Sequence, residues 1–248
     1  MNTPHQQDHF SSIAENYAKG RISYPKELYE LLVSLCNESE LAWDCATGSG
    51  QAAKDLAKYF RSVIATDISE SQLSKRQKNS TIEFRKAPAE ASEIRSNSVD
   101  LVTVAQAIHW FDLEPFWNEL QRVSKPNGVF AFWGYQWPQV SQSIDGLLNE
   151  LKLRISSYWP QRSKALHNGY AGLHAPFQKI ASPKITISEQ WSLNSYFNHI
   201  NSWSAVRYLL EDTGTDILDD CRGDFEKIWK NDTLRVSWPL ILKIYRIP

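Results

Sequence analysis

From residue 41 onward, short apolar runs alternate with stretches of helical period. Residues 41–45, 63–66, 82–85, 101–105 and 129–133 are too short for helices. They are bounded by turn formers and read as five buried strands. Between them, residues 51–60, 69–78 and 114–123 predict helices, the second with Ser69 as N-cap. Strands that alternate with helices imply a parallel sheet covered on both faces. Upstream, residues 10–18 read as a short helix. Pro25 then opens a helix whose stripe is Leu28, Leu31, Leu32 and Leu35.

Past Trp137 and Pro138 the alternation ceases. Ile144, Leu147, Leu148, Leu151 and Ile155 mark an amphipathic helix. Residues 160–178 read as loop-rich, 185–191 as a strand and 196–210 as helix. Residues 234–247 read as a strand in which Pro239 marks a bulge or an edge. The expected fold is α/β: a Rossmann-like, seven-stranded, mostly parallel sheet with helices on both faces, and a helical, aromatic-rich cap after strand 5. The expected divisions are a core at 1–138, a cap at 139–231 that contributes one strand, and a closing strand at 232–248.

Composition narrows the function. Among 248 residues the net charge is −1, so no basic field exists to hold a nucleic-acid backbone. Three cysteines without metal spacing read as reduced thiols of a cytoplasmic protein, and no metal site is expected. The polar first residues are not a signal peptide, and no apolar run is long enough to cross a membrane. Seven of the ten tryptophans lie from Trp133 onward, which predicts an aromatic-rich pocket or core in the second half.

The chemistry starts where strand 1 meets its helix. Gly48-Ser49-Gly50-Gln51-Ala52-Ala53 gives a tight turn and a helix N-terminus, where backbone can approach a nucleotide-like ligand. Asp67 ends strand 2 about 20 residues on, placed to accept the hydrogens of ribose hydroxyls. The match fits a dinucleotide and S-adenosylmethionine alike. Asp44, at the end of strand 1, would repel a pyrophosphate and attract a ligand with ammonium and sulfonium groups. An NAD(P)-dependent oxidoreductase and a non-catalytic S-adenosylmethionine-binding module remain the alternatives.

Several stretches together resemble the class I S-adenosylmethionine-dependent methyltransferases, in the small-molecule branch of trans-aconitate methyltransferase and the ubiquinone-pathway enzymes (type 11). They are Asp44 to Gln51, Ala65-Thr-Asp67, Ala89-Glu90, Asp100 to Asp112 with Gln106 and His109-Trp110-Phe111, and Arg122 to Gly128. Tyr17, Arg21 and Tyr24-Pro25 fit as well. Ala46 stands where the family's first glycine is usual, and Pro88 where a polar residue is common.

The resemblance implies S-adenosylmethionine as cofactor. It would be held by Tyr17, Arg21, Asp44, Ala46, Gly48, Ser49, Gly50, Gln51, Asp67, Ile68, Ala89, Glu90, Ala105 and Gln106. His109 is either a general base or a structural histidine of its loop. Trp110, Trp133, Tyr135 and Trp137 are candidate walls for a small-molecule acceptor. Arg207 or Arg154 would clamp a carboxylate acceptor, which needs no base. The acceptor atom and the oligomeric state are left open.

Overall fold

The computed structural model describes residues 22–76 and 79–248. The helix expected at 10–18, together with Tyr17 and Arg21, lies outside the described residues. So does part of the stretch expected to be helical at 69–78.

The first helix, α1 (Lys26–Ser34), starts after Pro25 and buries Leu28, Tyr29 and Leu32 against the sheet. Strand β1 (Leu41–Cys45) leads through the glycine turn into α2 (Gln51–Leu56). β2 (Ser62–Asp67) is followed by the single turn α3 (Glu70–Leu73), where the Ser69 hydroxyl accepts the Gln72 N–H. Then come β3 (Ile82–Lys86), β4 (Val99–Ala105), α4 (Leu113–Val123) and β5 (Ser124–Tyr135). β1, β2 and β4 are largely buried, as continuous apolar runs in a parallel sheet must be, while β3 lies at the edge and is only partly covered.

The second half supplies α5 (Gln142–Arg154), the one-turn α6 (Lys164–His167), β6 (Gln178–Ile180) and β7 (Thr186–Trp191). It continues with α7 (Leu193–Asn201), α8 (Ser204–Thr213), α9 (Ile217–Ile228) and the long closing strand β8 (Leu234–Arg246). The strand order is β3-β2-β1-β4-β5-β8-β6, with β7 also on β8. β1 to β5 run parallel, and β8 is antiparallel to β5.

The sheet therefore has eight strands where seven are expected, and the difference is local. β6 pairs with residues 244–246 of β8 and β7 with residues 234–239, in one continuous sense. They are two pieces of one edge, separated by residues 181–185. Pro183 lies in that gap and has no N–H to give to a ladder. Pro239 sits where β8 passes from its β7 partners to its β5 partners. There the Pro239 carbonyl accepts the Gln136 N–H at 3.0 Å.

Helices α5, α7, α8 and α9 build a hydrophobic cluster of their own around Ile144, Leu148, Tyr196, Phe225 and Trp238. The helix expected over 196–210 is two helices that meet at Ser202–Trp203. The strand order reverses direction between β1 and β4. Doubly wound sheets open a ligand crevice at that point, beyond the C-terminal strand ends.

Candidate active site

The turn after β1 is held in left-handed backbone at three places: Ala46 (φ 54°), Gly48 (φ 61°) and Gly50 (φ 88°). At Gly50 a side chain is excluded twice over. The dihedral disfavours it, and a Cβ would lie 2.7 Å from the Phe84 ring. The Thr47 N–H donates to the Thr66 carbonyl at 2.8 Å, tying the turn to β2.

The two acidic groups of this corner have different surroundings. Asp44 is 1% exposed. Its Oδ2 accepts the Ala53 N–H at 3.0 Å and the Thr47 hydroxyl, and its Oδ1 accepts the Thr103 hydroxyl at 2.9 Å. It caps the first turn of α2 from the strand before it, and its carboxylate faces the protein rather than the cavity. Burial pushes its pKa up to about 6, against the pull of those hydrogen bonds and with a small addition from Asp67.

Asp67 stands at the cavity. Its Oδ2 accepts the Gly48 N–H and its Oδ1 the Ser69 N–H, both at 2.8 Å. Burial raises its pKa as well, while these bonds oppose the shift. The Ala53 and Gly48 N–H groups are thus engaged by carboxylates of the protein itself. Asp44 is therefore not the ligand-facing charge expected from sequence; that place is taken by Asp67, an acid that would serve the ribose of either ligand.

A single cavity of about 450 Å³ opens from this corner across the C-terminal edges of β1 and β4. Ala46, Gly48, Gln51, Asp67, Ile68, Ala89 and Glu90 line one end. Ile68, 46% exposed, is a large aliphatic side chain left open at this wall. Glu90 also accepts the Asp112 N–H at the start of α4 (2.9 Å). The middle is lined by Ala105, Gln106, His109 and Trp110, and the far end by Tyr135 and Trp137.

Some expected residues stand elsewhere. Ser49 and Gly50 shape the turn without lining the cavity. Trp133 is fully buried, edge-on to Tyr24 and Tyr29 on the α1 side of the sheet. Trp133 and Tyr135, two apart on β5, share a face of the sheet; they differ in depth, since Tyr24 and Tyr29 cover Trp133 while Tyr135 reaches the cavity. Arg207 pairs with Glu211 on α8 (3.4 Å) and Arg154 with Asp220 (2.9 Å), both away from the cavity.

At the end of β4, Gln106 adopts φ 60° and its N–H donates to the Trp133 carbonyl at 2.8 Å. Its side-chain Nε2 is buried without a partner among the described residues. Room for this amide depends on Gly134, where a Cβ would come within 3.1 Å of Gln106 Oε1 and 2.5 Å of Leu166. His109 follows on a single 3-10 turn (Ile108–Trp110). Its Nδ1 lies 3.2 Å from the Tyr170 hydroxyl. Burial, with the nearby charges of His167 and Arg162, brings the His109 pKa down to about 4.

The far end is aromatic. The Trp137, Trp159 and Trp203 rings lie 5.0–6.1 Å apart and touch one another, and His167 packs on Trp137 and Trp159 at 4.7 and 4.5 Å. His199 joins through Tyr135 and Trp203. Trp159, Arg162, His167, His199 and Trp203 were not singled out for the pocket from sequence. Their signal was the concentration of tryptophan and histidine past Pro138, which gives no order in space. Among the described residues no group of three or more His, Cys, Asp or Glu is placed to hold a metal. No helix among the described residues is long and apolar enough to cross a membrane.

A doubly wound sheet closed by an antiparallel strand, with a glycine turn after β1 and an acid at the end of β2, defines a class I S-adenosylmethionine-dependent methyltransferase. The comparisons agree. A family profile described as a methyltransferase domain (type 11) matches residues 43–132. A Dictyostelium discoideum protein named as a methyltransferase is 32% identical, covering 90% of this chain and 87% of its own length. A Saccharomyces cerevisiae protein named as an S-adenosylmethionine-dependent methyltransferase is 33% identical, covering 90% and 91%. The solved structure of a type II methyltransferase, so titled, from Anaeromyxobacter dehalogenans superposes with a TM-score of 0.87 at 33% identity. That match covers 92% of this chain and 98% of the other. The chain belongs to this methyltransferase family.

Proposed function

We propose that the enzyme methylates a small cytosolic molecule whose body packs on the aromatic end of the cavity. One observation carries this reading. The same cavity runs from the Asp67 and Ile68 corner to the closed cluster of Trp137, Trp159 and Trp203. The rings pack against one another at 47–68°, so they make an apolar wall, which suits an apolar acceptor. The near-neutral charge speaks against a nucleic-acid acceptor. Unpaired Cys36, Cys45 and Cys221 are compatible with a reducing compartment.

The residues present suit S-adenosylmethionine. The Gly48–Gln51 turn and Ala46 would take its methionine part, and Asp67 its ribose. Ile68 offers an apolar shelf to the adenine, with Ala89 and Glu90 at its edge. The Ala105 and Gln106 carbonyls would accept from the ammonium, and the unpartnered Gln106 amide N–H is a donor for the neighbouring carboxylate. Asp44 acts by fixing the turn. Bound there, the cofactor supplies a methyl group activated by a positively charged sulfur. The chain's own work is alignment: it holds the acceptor in line and keeps water out.

The test is a screen of small acids, phenols and amines for release of S-adenosylhomocysteine. Trp203→Ala should raise KM for an accepted compound about tenfold or more and leave S-adenosylmethionine affinity in place. Equal loss of both, or turnover confined to a macromolecule, contradicts the reading.

A further inference from the structure

Tyr170 lies in the loop after α6, far in sequence from β4, yet it reaches the histidine of the cavity. It is fully buried and holds φ 54°, a left-handed backbone that a bulky aromatic residue rarely adopts. Strain of this kind persists where the surroundings over-determine it, and it concentrates at functional sites. The surroundings here are specific. Lys243 Nζ, from β8, donates to the Tyr170 and Leu173 carbonyls. The ring packs edge-on to Phe132 at 5.5 Å. Gly134 leaves room for it, since a Cβ there would lie 3.2 Å from Tyr170 Cε2.

All this delivers one hydroxyl to His109 Nδ1, at 3.2 Å. Among the described residues His109 is the hydrogen-bond partner of that hydroxyl, so a buried O–H proton has one place to go. Donation to Nδ1 leaves the proton of the neutral imidazole on Nε2, the other nitrogen of a ring that lines the cavity. We propose that Tyr170 is a positioning residue that fixes His109 as the Nε2–H tautomer, so that His109 donates a hydrogen bond to the acceptor oxygen and the enzyme takes acceptors that arrive as oxyanions. This rests on the small-molecule reading above.

The charge environment agrees. The groups facing His109 are Tyr170, His167 on α6 and Arg162 on the preceding turn. His167 and Arg162 both disfavour an imidazolium, as burial does, and burial also keeps the Tyr170 hydroxyl protonated. A histidine so hard to protonate is a weak base near neutrality and a competent neutral donor. The proton count then closes. An oxyanion gives a lone pair to the methyl carbon, the S–C bonding pair stays with sulfur, and no proton is left to remove.

The test is 15N NMR of the full chain labelled at histidine, with S-adenosylhomocysteine present, from about pH 8 to about pH 5. His109→Gln identifies the signals. The expected result is a fixed Nε2–H tautomer of His109 across the range, lost to a mixture or to Nδ1–H in Tyr170→Phe. An Nδ1–H tautomer in the parent protein, or an Nε2–H pattern that survives in Tyr170→Phe, overturns the proposal. In turnover, His109→Gln, whose amide places a donor near the former Nε2, should recover at least tenfold of the activity lost in His109→Ala. Turnover of an unionised aliphatic alcohol overturns the acceptor class. Calorimetry with S-adenosylhomocysteine on the same samples reads the cofactor site independently. Failure there counts against the methyltransferase reading and leaves the tautomer result to stand on its own.

Discussion

The Gly48 N–H donates to Asp67 Oδ2 at 2.8 Å, joining the turn after β1 to the end of β2. One carboxylate thereby sets the shape of the turn and presents itself at the cavity.

Loss of Asp67 should therefore be felt first in cofactor binding. Hydrogen bonds to a charged group contribute about 1.5–3 kcal/mol. Asp67→Ala is expected to weaken S-adenosylmethionine binding by about tenfold to a hundredfold, with a loss of stability from the freed Gly48 and Ser69 amides. Titration calorimetry checks it; an unchanged Kd contradicts the role.

Asp44 should behave in the opposite way. Its three bonds hold α2 and β4 together, and their donors are left unsatisfied in Asp44→Ala. Urea unfolding should show a loss of about 3 kcal/mol, as expected for a broken buried network. The change in Kd of the folded fraction should be smaller than for Asp67→Ala.

Gly50→Ala tests the turn itself. A left-handed alanine costs about 1–2 kcal/mol, and crowding of the Phe84 ring adds to it. A loss of about 2–4 kcal/mol in urea unfolding is expected. Pairing the change with Phe84→Leu should recover part of it.

The pH dependence of stability carries a sign. His109 and His167 are brought from 6.5 down to about 4, both mainly by burial. The folded state binds fewer protons than the unfolded one between these values. Their contribution is present above about pH 6.5 and fades as pH falls toward 4. Asp44, raised to about 6, acts with the opposite sign. Subtracting the stability curve of His109→Gln from that of the parent isolates the histidine. The difference should shrink between about pH 6.5 and 4; a flat difference contradicts the burial argument.

The core was readable because parallel strands buried on both faces leave uninterrupted apolar runs, and residues 41–45 coincide with β1 to the residue. The glycine turn and Asp67 carried their own spacing. Asp44 was harder. Sequence places a carboxylate at a strand end but does not say whether Thr103, Ala53 and Thr47 will claim it. The cap resisted for other reasons. α9, with its Asp-Asp-Cys-Arg-Gly interior, gives only a weak apolar stripe, and β6 has three residues. The link from Tyr170 to His109 spans 61 positions. It comes from tertiary packing, which no local period encodes.

β8 belongs to two partnerships at once: residues 240–246 lie beside β5, and residues 234–239 beside β7 under the helical cluster. A common backbone of this kind does not let the aromatic half of the molecule swing as a lid on a hinge at that seam. Labels placed on α5 and α4 should then keep one distance through the catalytic cycle.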